Sequence, residues 1–335
     1  MSGSLPAHLA TTRRGAALEA VVRGHIAVVD ADGRLLGAAG DAEAPTTLRS
    51  CVKPLQALPF VRRAVDAIGA GDADIAVACA SHQGEPVHVG AVRGLLARAG
   101  LDEEALSCGP QLPADEQSAR HLLASGGTPE RVHNNCSGKH AAMLAACRAS
   151  GDSLDGYAAY DHPLQVEIRA LMSAFAGIDL DGRPHGIDGC GLPTHELPLR
   201  AIARMFAAAA GDPDVRRCQA AMAAQPYLVG GRGRFDTAVL EAAGAAVTVK
   251  VGGAAVWVAL RRPAGPALAI KLEAGDATAL PAVALAALGA LGWIDGPLLA
   301  GPLLTPFVTV ALRNWDGLEV GSTAAEPGWT AALRG

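Results

Sequence analysis

A chain of 335 residues that is 50% hydrophobic has apolar material for one large core or two smaller ones, which excludes a disordered chain. Its net charge of −5, with no basic block, excludes a protein that tracks nucleic-acid phosphates, and 4% aromatic residues leave little for stacking on bases. The N-terminal MSGSLPAHLATTRRG lacks an apolar segment and a cleavage site, and the run 279–293 is too short and too broken by Pro and Gly to span a bilayer. A cytoplasmic chain with no membrane partner is expected.

In chain order, LEAVVRGHIAVVD and RLLGAAG within 18–38 are strand-like, joined by a turn at Ala31-Asp32-Gly33. A helix begins near Pro54 and runs over 53–68. Residues 72–80 are apolar and compact, and 86–99 are helical. Cys108-Gly-Pro-Gln-Leu-Pro113 is a loop, and Asn134 to Cys147 is a loop entering a helix. Gly186 to Pro198 is again a loop rich in Gly and Pro, followed by helices over 198–210 and 213–224. Strands return at 245–260 and 266–273, then a helix at 277–291 and short strands at 306–312 and 317–321.

Strands, then many helices, then strands imply an α/β fold whose antiparallel sheet is made by both chain termini. A single domain over 1–335 is expected, with a sheet lobe at about 16–50 and 245–325 and a helical lobe at about 51–244.

Two groups of residues carry chemistry. In TLRSCVKPLQALP, Ser50 and Lys53 lie three apart, a spacing that shares one helical face. A serine hydroxyl attacks only when a base takes its proton, and lysine serves only if burial or a nearby cation lowers its pKa. Pro54 has no N–H and fits only the first turn of a helix, which places Ser50 at the helix start. There backbone N–H groups would stabilise an oxyanion. The competing reading is an ordinary helix-capping serine. Ser81, in CASHQGEP, and Lys250, on a β-rich run, are a second candidate pair.

The other group sits in two loops. HNNCSGKHAAML holds Cys136, Lys139 and His140, and GIDGCGLPTHELP holds Asp188, Cys190 and His195. Two thiolates with a nitrogen or oxygen donor are a candidate Zn²⁺ set, against the alternative of two buried cysteines in tight turns. The seven cysteines are dispersed with no CxxC pair, as expected of reduced thiols. His25, His82, His133 and His162 are read as hydrogen-bonded loop or strand residues. Arg49 is the cation nearest Ser50, read either as a partner of substrate or as a surface ion pair.

Taken together, RSCVKPLQALP, CASHQGEP, CGPQLP, NNCSGKHAAML, DHPLQ, DGCGLP, GRGRFDT, VKVGG and RNWDGLEVG resemble the serine–lysine L-asparaginases, asparaginase II of the rhizobial type, over nearly the whole chain. The resemblance implies a fold like that of serine β-lactamases and glutaminases. It implies hydrolysis of the asparagine side-chain amide, and it makes Ser50 with Lys53 and Ser81 with Lys250 the two catalytic pairs. It also implies a metal site at Cys136, Lys139 and Cys190 with Asp188 beside it, no organic cofactor, and a homodimer. Arg49, Asp188 and His140 are the expected substrate-binding residues. Ser50 is favoured as nucleophile, with Ser81 as the alternative. Other readings are a glutaminase, a β-lactam-binding enzyme, or a binding protein without turnover. Val22, the stretch KVGGAAV, and Glu273 to Asp276 depart from the family pattern.

Overall fold

A computed structural model describes residues 4–334. Its strands are β1 (Ala7–Arg14), β2 (Ala17–Val29), β3 (Leu35–Ala39), β4 (Pro45–Thr47), β5 (His185–Ile187), β6 (Pro193–Pro198), β7 (Val247–Gly252), β8 (Val256–Arg261), β9 (Ala267–Leu272), β10 (Thr309–Arg313) and β11 (Glu319–Ala325). The large sheet runs β10-β11-β1-β2-β9-β8-β7, with β3 added beside β2. Each pairing is antiparallel, and both ends of the chain contribute. The fold is α/β, as the order of elements implied.

β2 shows how the local sequence sets burial. Residues 17–23 pair with β1 and are mostly exposed. From Gly24 the strand pairs with β9, from Ile26 also with β3, and HIAVV is buried throughout. A strand buried on both faces has a continuous apolar run rather than alternation. The helix Leu199–Ala209 lies across β2 and β9 and buries Leu199, Ile202, Met205 and Phe206 against them.

The helical region is organised around Ser137–Ser150. This helix is buried from Ser137 to Cys147 and packs against Leu58–Arg63, Asp72–Ala78 and Pro86–Arg98. Alanines at 141, 142, 145 and 146 keep the neighbours close. Gly138 makes the closest approach: a Cβ there would run into the carbonyl oxygen of Val77. Gly138→Ala is therefore expected to cost about 1–3 kcal/mol or more, because backbone has to move on one side. A lowered midpoint in denaturant unfolding checks it.

Three expectations change. The run 245–260 is two strands, β7 and β8, because Gly253-Ala254-Ala255 makes a tight hairpin with positive φ at both alanines. The helix foreseen over 53–68 is a 3-10 turn (Arg49–Val52) followed by Lys53–Gln56 and Leu58–Arg63. Pro54 and Pro59 each stand at a helix start, so each ends the hydrogen bonding of the segment before it. The Gly/Pro-rich loop 186–198 contains β5 and β6, which form a small sheet with β4 in the order β4-β6-β5.

Candidate active site

β7 brings Lys250 to the edge of the large sheet, opposite Val258 of β8. The 3-10 turn Arg49–Val52 packs on the end of this strand. The loop after helix Asp72–Ala78 supplies Ser81, and the loop before helix Ser137–Ser150 supplies Asn134, Asn135 and Cys136. The segment between β5 and β6 supplies Asp188 and Cys190. These pieces enclose a cavity of about 400 Å³ with Ser50, Ser81, Cys136, Asp188 and Cys190 on its wall. A larger concavity of about 590 Å³ beside Trp293 and Leu333 has none of these groups on its wall.

Lys250 is 1% exposed and its Nζ donates to Ser81 Oγ at 2.8 Å and to the carbonyl of Val251 at 2.8 Å. Burial lowers its pKa to about 7, against the opposing pull of Asp236 and with help from the charge of Lys53. A group at this pKa both holds and releases a proton at neutral pH. Asp236 Oδ2 lies 3.9 Å from Lys250 Nζ. The same carboxylate accepts the backbone N–H of Val251 at 2.7 Å and the indole N–H of Trp257 at 2.9 Å, so it also fixes the strand that carries the lysine.

Lys53 is fully buried at 0% exposure, and its pKa is lowered by burial. Its Nζ donates to the carbonyl of Ala80 and, at 3.1 Å, to that of Asn135. No hydrogen bond joins it to Ser50 Oγ among the described residues, although the spacing had suggested that the two side chains meet. A buried amine needs strong acceptors, and two carbonyls outcompete one hydroxyl. The Lys53 side chain is also hydrogen-bonded to Cys136.

Ser50 is half-buried on the cavity wall, and no partner for its Oγ is found among the described residues. The residue before it, Arg49, has φ +45°, a conformation that costs a non-glycine residue roughly 1–2 kcal/mol. Two contacts hold it there. Arg49 N–H donates to Thr194 Oγ1 at 3.1 Å, and its guanidinium places Nε and Nη2 at 2.9 and 2.8 Å from Asp188 Oδ1. Ser50 is thus presented by a strained turn clamped to the β5–β6 segment.

Behind the cavity wall, Lys139 Nζ donates to Cys190 Sγ at 3.2 Å. Cys136 is hydrogen-bonded by Cys190, which, with the positive Lys139 and Lys53, holds its thiol well below the ordinary range. Burial works against charge on Lys139, but Cys136 and Cys190 beside it keep its pKa raised. His140 stands apart. It is 0% exposed, its Nδ1 is 2.6 Å from the Tyr157 hydroxyl, and it is not on the cavity wall.

Sequence reading missed Asp236 and Arg234. Both lie in GRGRFDT, where an aspartate in the first turn of helix Phe235–Ala243 looks like ordinary helix-start chemistry. Nothing in its spacing from Lys250 indicates contact. The histidines read as structural are so bonded. His82 accepts from Gly84 N, His133 from Glu130 N, and His162 from Leu164 N, while His25 accepts from Asp41 N.

The family profile of L-asparaginase II matches residues 10–325. The chain belongs to the L-asparaginase II family. A comparison with curated proteins finds no match. Membership covers both strand regions and everything between them, and it makes the chain an enzyme, an asparaginase-type amidohydrolase acting on a small-molecule amide. Among the described residues no helix is long and apolar enough to cross a membrane.

The zinc expected at Cys136, Lys139 and Cys190 finds no support in the donor set. Among the described residues no group of three or more His, Cys, Asp or Glu side chains converges to hold a metal. The third member, Lys139, has its pKa raised beside Cys136 and Cys190, and a lysine binds metal only as the free amine. As they stand, these residues share protons with one another, and no chemical step below passes through a metal. Zinc bound stoichiometrically to the purified protein, and lost in Cys136→Ser, would restore the expectation.

Proposed function

We propose that the enzyme hydrolyses the side-chain amide of L-asparagine to L-aspartate and ammonia through an acyl-enzyme on Ser50. The observation that supports this is that two serines open on one cavity, one of them bonded to the buried, pKa-lowered Lys250, while a second buried lysine, Lys53, lies three residues after the other. Ser50 Oγ is the unengaged hydroxyl, so it attacks the carboxamide carbon, and its proton passes to Lys53 once that amine has given up its own, a loss that burial favours. A C–O bond forms and the carbonyl π electrons move to oxygen. When they return, the C–N bond breaks, and the departing nitrogen takes a proton through Ser81 from Lys250. Water then enters along the same path. As it attacks the ester its proton passes through Ser81 back to Lys250, the carbonyl π electrons return, the ester C–O bond breaks, Ser50 Oγ takes the proton held by Lys53, and aspartate leaves.

Ser81 suits the relay because it is buried and already bonded to a lysine that exchanges protons near neutrality. Asp188 and Arg49 position the turn that carries Ser50. Kinship of the fold with serine β-lactamases and glutaminases, and a homodimer, rest on the sequence resemblance. Sedimentation equilibrium checks the second.

Ammonia release from asparagine and glutamine tests the reading. Ser50→Ala is expected to lower kcat for asparagine by roughly 10³-fold or more, the scale of losing an attacking group. Ser81→Ala is expected to lose about 10²-fold, the scale of one proton-transfer step. Full activity in Ser50→Ala, or equal turnover of glutamine, would contradict it.

A further inference from the structure

The cavity wall carries three charged side chains: Arg49, Asp188 and Arg234. Arg49 is committed, since two of its guanidinium nitrogens lie within hydrogen-bonding distance of Asp188 Oδ1. Their charges cancel at close range. Arg234 is different. It is partly buried at the start of helix Phe235–Ala243, and among the described residues its guanidinium has neither an ion pair nor a hydrogen bond. The cavity therefore has one unspent positive charge with a planar, two-pronged donor set.

Resting on the asparaginase reading above, we infer that Arg234 is the anchor for the substrate's α-carboxylate. Guanidinium and carboxylate match as a bidentate pair, which fixes orientation as well as position. Asparagine presents an α-carboxylate and a side-chain amide separated by two carbons. Anchoring the first on the Phe235–Ala243 side of the cavity directs the second into the space that Ser50 and Ser81 share. Arg49, the expected carboxylate partner, would have to leave Asp188 and relax the strained turn to do this. Arg234 has nothing to give up. The cavity would thus select side-chain amides of α-amino acids, which keep a free α-carboxylate, over amides that lack it.

The test compares L-asparagine with 3-aminopropanamide, which keeps the amine and the amide but has no carboxylate. In Arg234→Gln, KM for asparagine is expected to rise about 10- to 100-fold, the scale of one charge-assisted bidentate contact, with kcat much less affected. The preference for asparagine over 3-aminopropanamide is expected to collapse by the same factor. Arg234→Lys restores part of the preference, because an ammonium keeps the charge but not the fork. Equal losses on both amides would mean a structural role and overturn the inference, as would an unchanged preference. Calorimetric binding of both compounds to Ser50→Ala and to Ser50→Ala/Arg234→Gln separates this from the function itself. If the wild-type chain releases no ammonia but asparagine binding depends on Arg234, the function fails and the anchor stands. Binding that ignores Arg234 removes the anchor, whatever the turnover.

Discussion

Lys250→Met lowers kcat/KM for asparagine by about 10²–10⁴-fold, the contribution of one placed proton-transfer group, without unfolding the protein. The two halves of this expectation come from the same fact. Lys250 is 1% exposed, so its charge is held at a cost, and only Ser81, a backbone carbonyl and a carboxylate 3.9 Å away offset that cost. An unbranched apolar side chain of similar length removes the cost, and such replacements of buried charges are commonly neutral or stabilising. The unfolding midpoint should therefore hold or rise while turnover falls. Turnover that survives would mean that Ser81 and Lys250 are a structural hydrogen bond. A collapse of the fold along with activity would mean that the lysine anchors β7.

Asp236→Asn is expected to act on both pH profile and stability. The carboxylate supports the charged form of Lys250 against burial, so removing its charge pushes that pKa below about 7. The limb of the kcat/KM profile that Lys250 carries then moves to lower pH, and in Lys250→Met that limb disappears. Stability falls as well. Asp236 accepts from Val251 N–H and Trp257 Nε1–H with separate oxygens. Asparagine has one acceptor oxygen, so one buried donor faces an amide NH₂ at a cost of about 1–3 kcal/mol. Combining Asp236→Asn with Trp257→Phe removes the second donor and isolates the charge effect. A limb that stays in place in both variants would show that Asp236 is structural only.

What the sequence made legible follows from how local each signal is. Ser50 and Pro54 are close in sequence, and proline's missing N–H marks the helix start that follows the Arg49–Val52 turn. The pairing of Ser81 with Lys250 across a long sequence separation was a candidate on the two motifs and is what the resemblance implies; in the structure Lys250 Nζ lies 2.8 Å from Ser81 Oγ. Asp236 was not legible. Its contact with Lys250 depends on helix Phe235–Ala243 turning back beside β7, and no periodicity encodes that packing. Arg234 was missed for a related reason, because what distinguishes it is its lack of a partner in three dimensions. In the fold, the sheet built from both termini was read correctly from the strand-like runs. β1 escaped because AHLATTRR is poor in large apolar residues and is held by β2 and β11 on its two sides. The meeting of Lys53 with two carbonyls instead of Ser50 reflects desolvation, which the spacing of residues does not record.

The central claim is that Ser50 attacks while Ser81 relays protons. The most direct measurement is to quench the enzyme during turnover of asparagine, digest it, and locate the aspartyl ester by mass spectrometry. The account predicts the ester on the peptide that holds Ser50, accumulating further in Ser81→Ala if the relay is needed for water attack. An ester on Ser81 would reverse the two roles, and a quenched enzyme free of any ester under conditions of rapid turnover would contradict covalent catalysis by either serine.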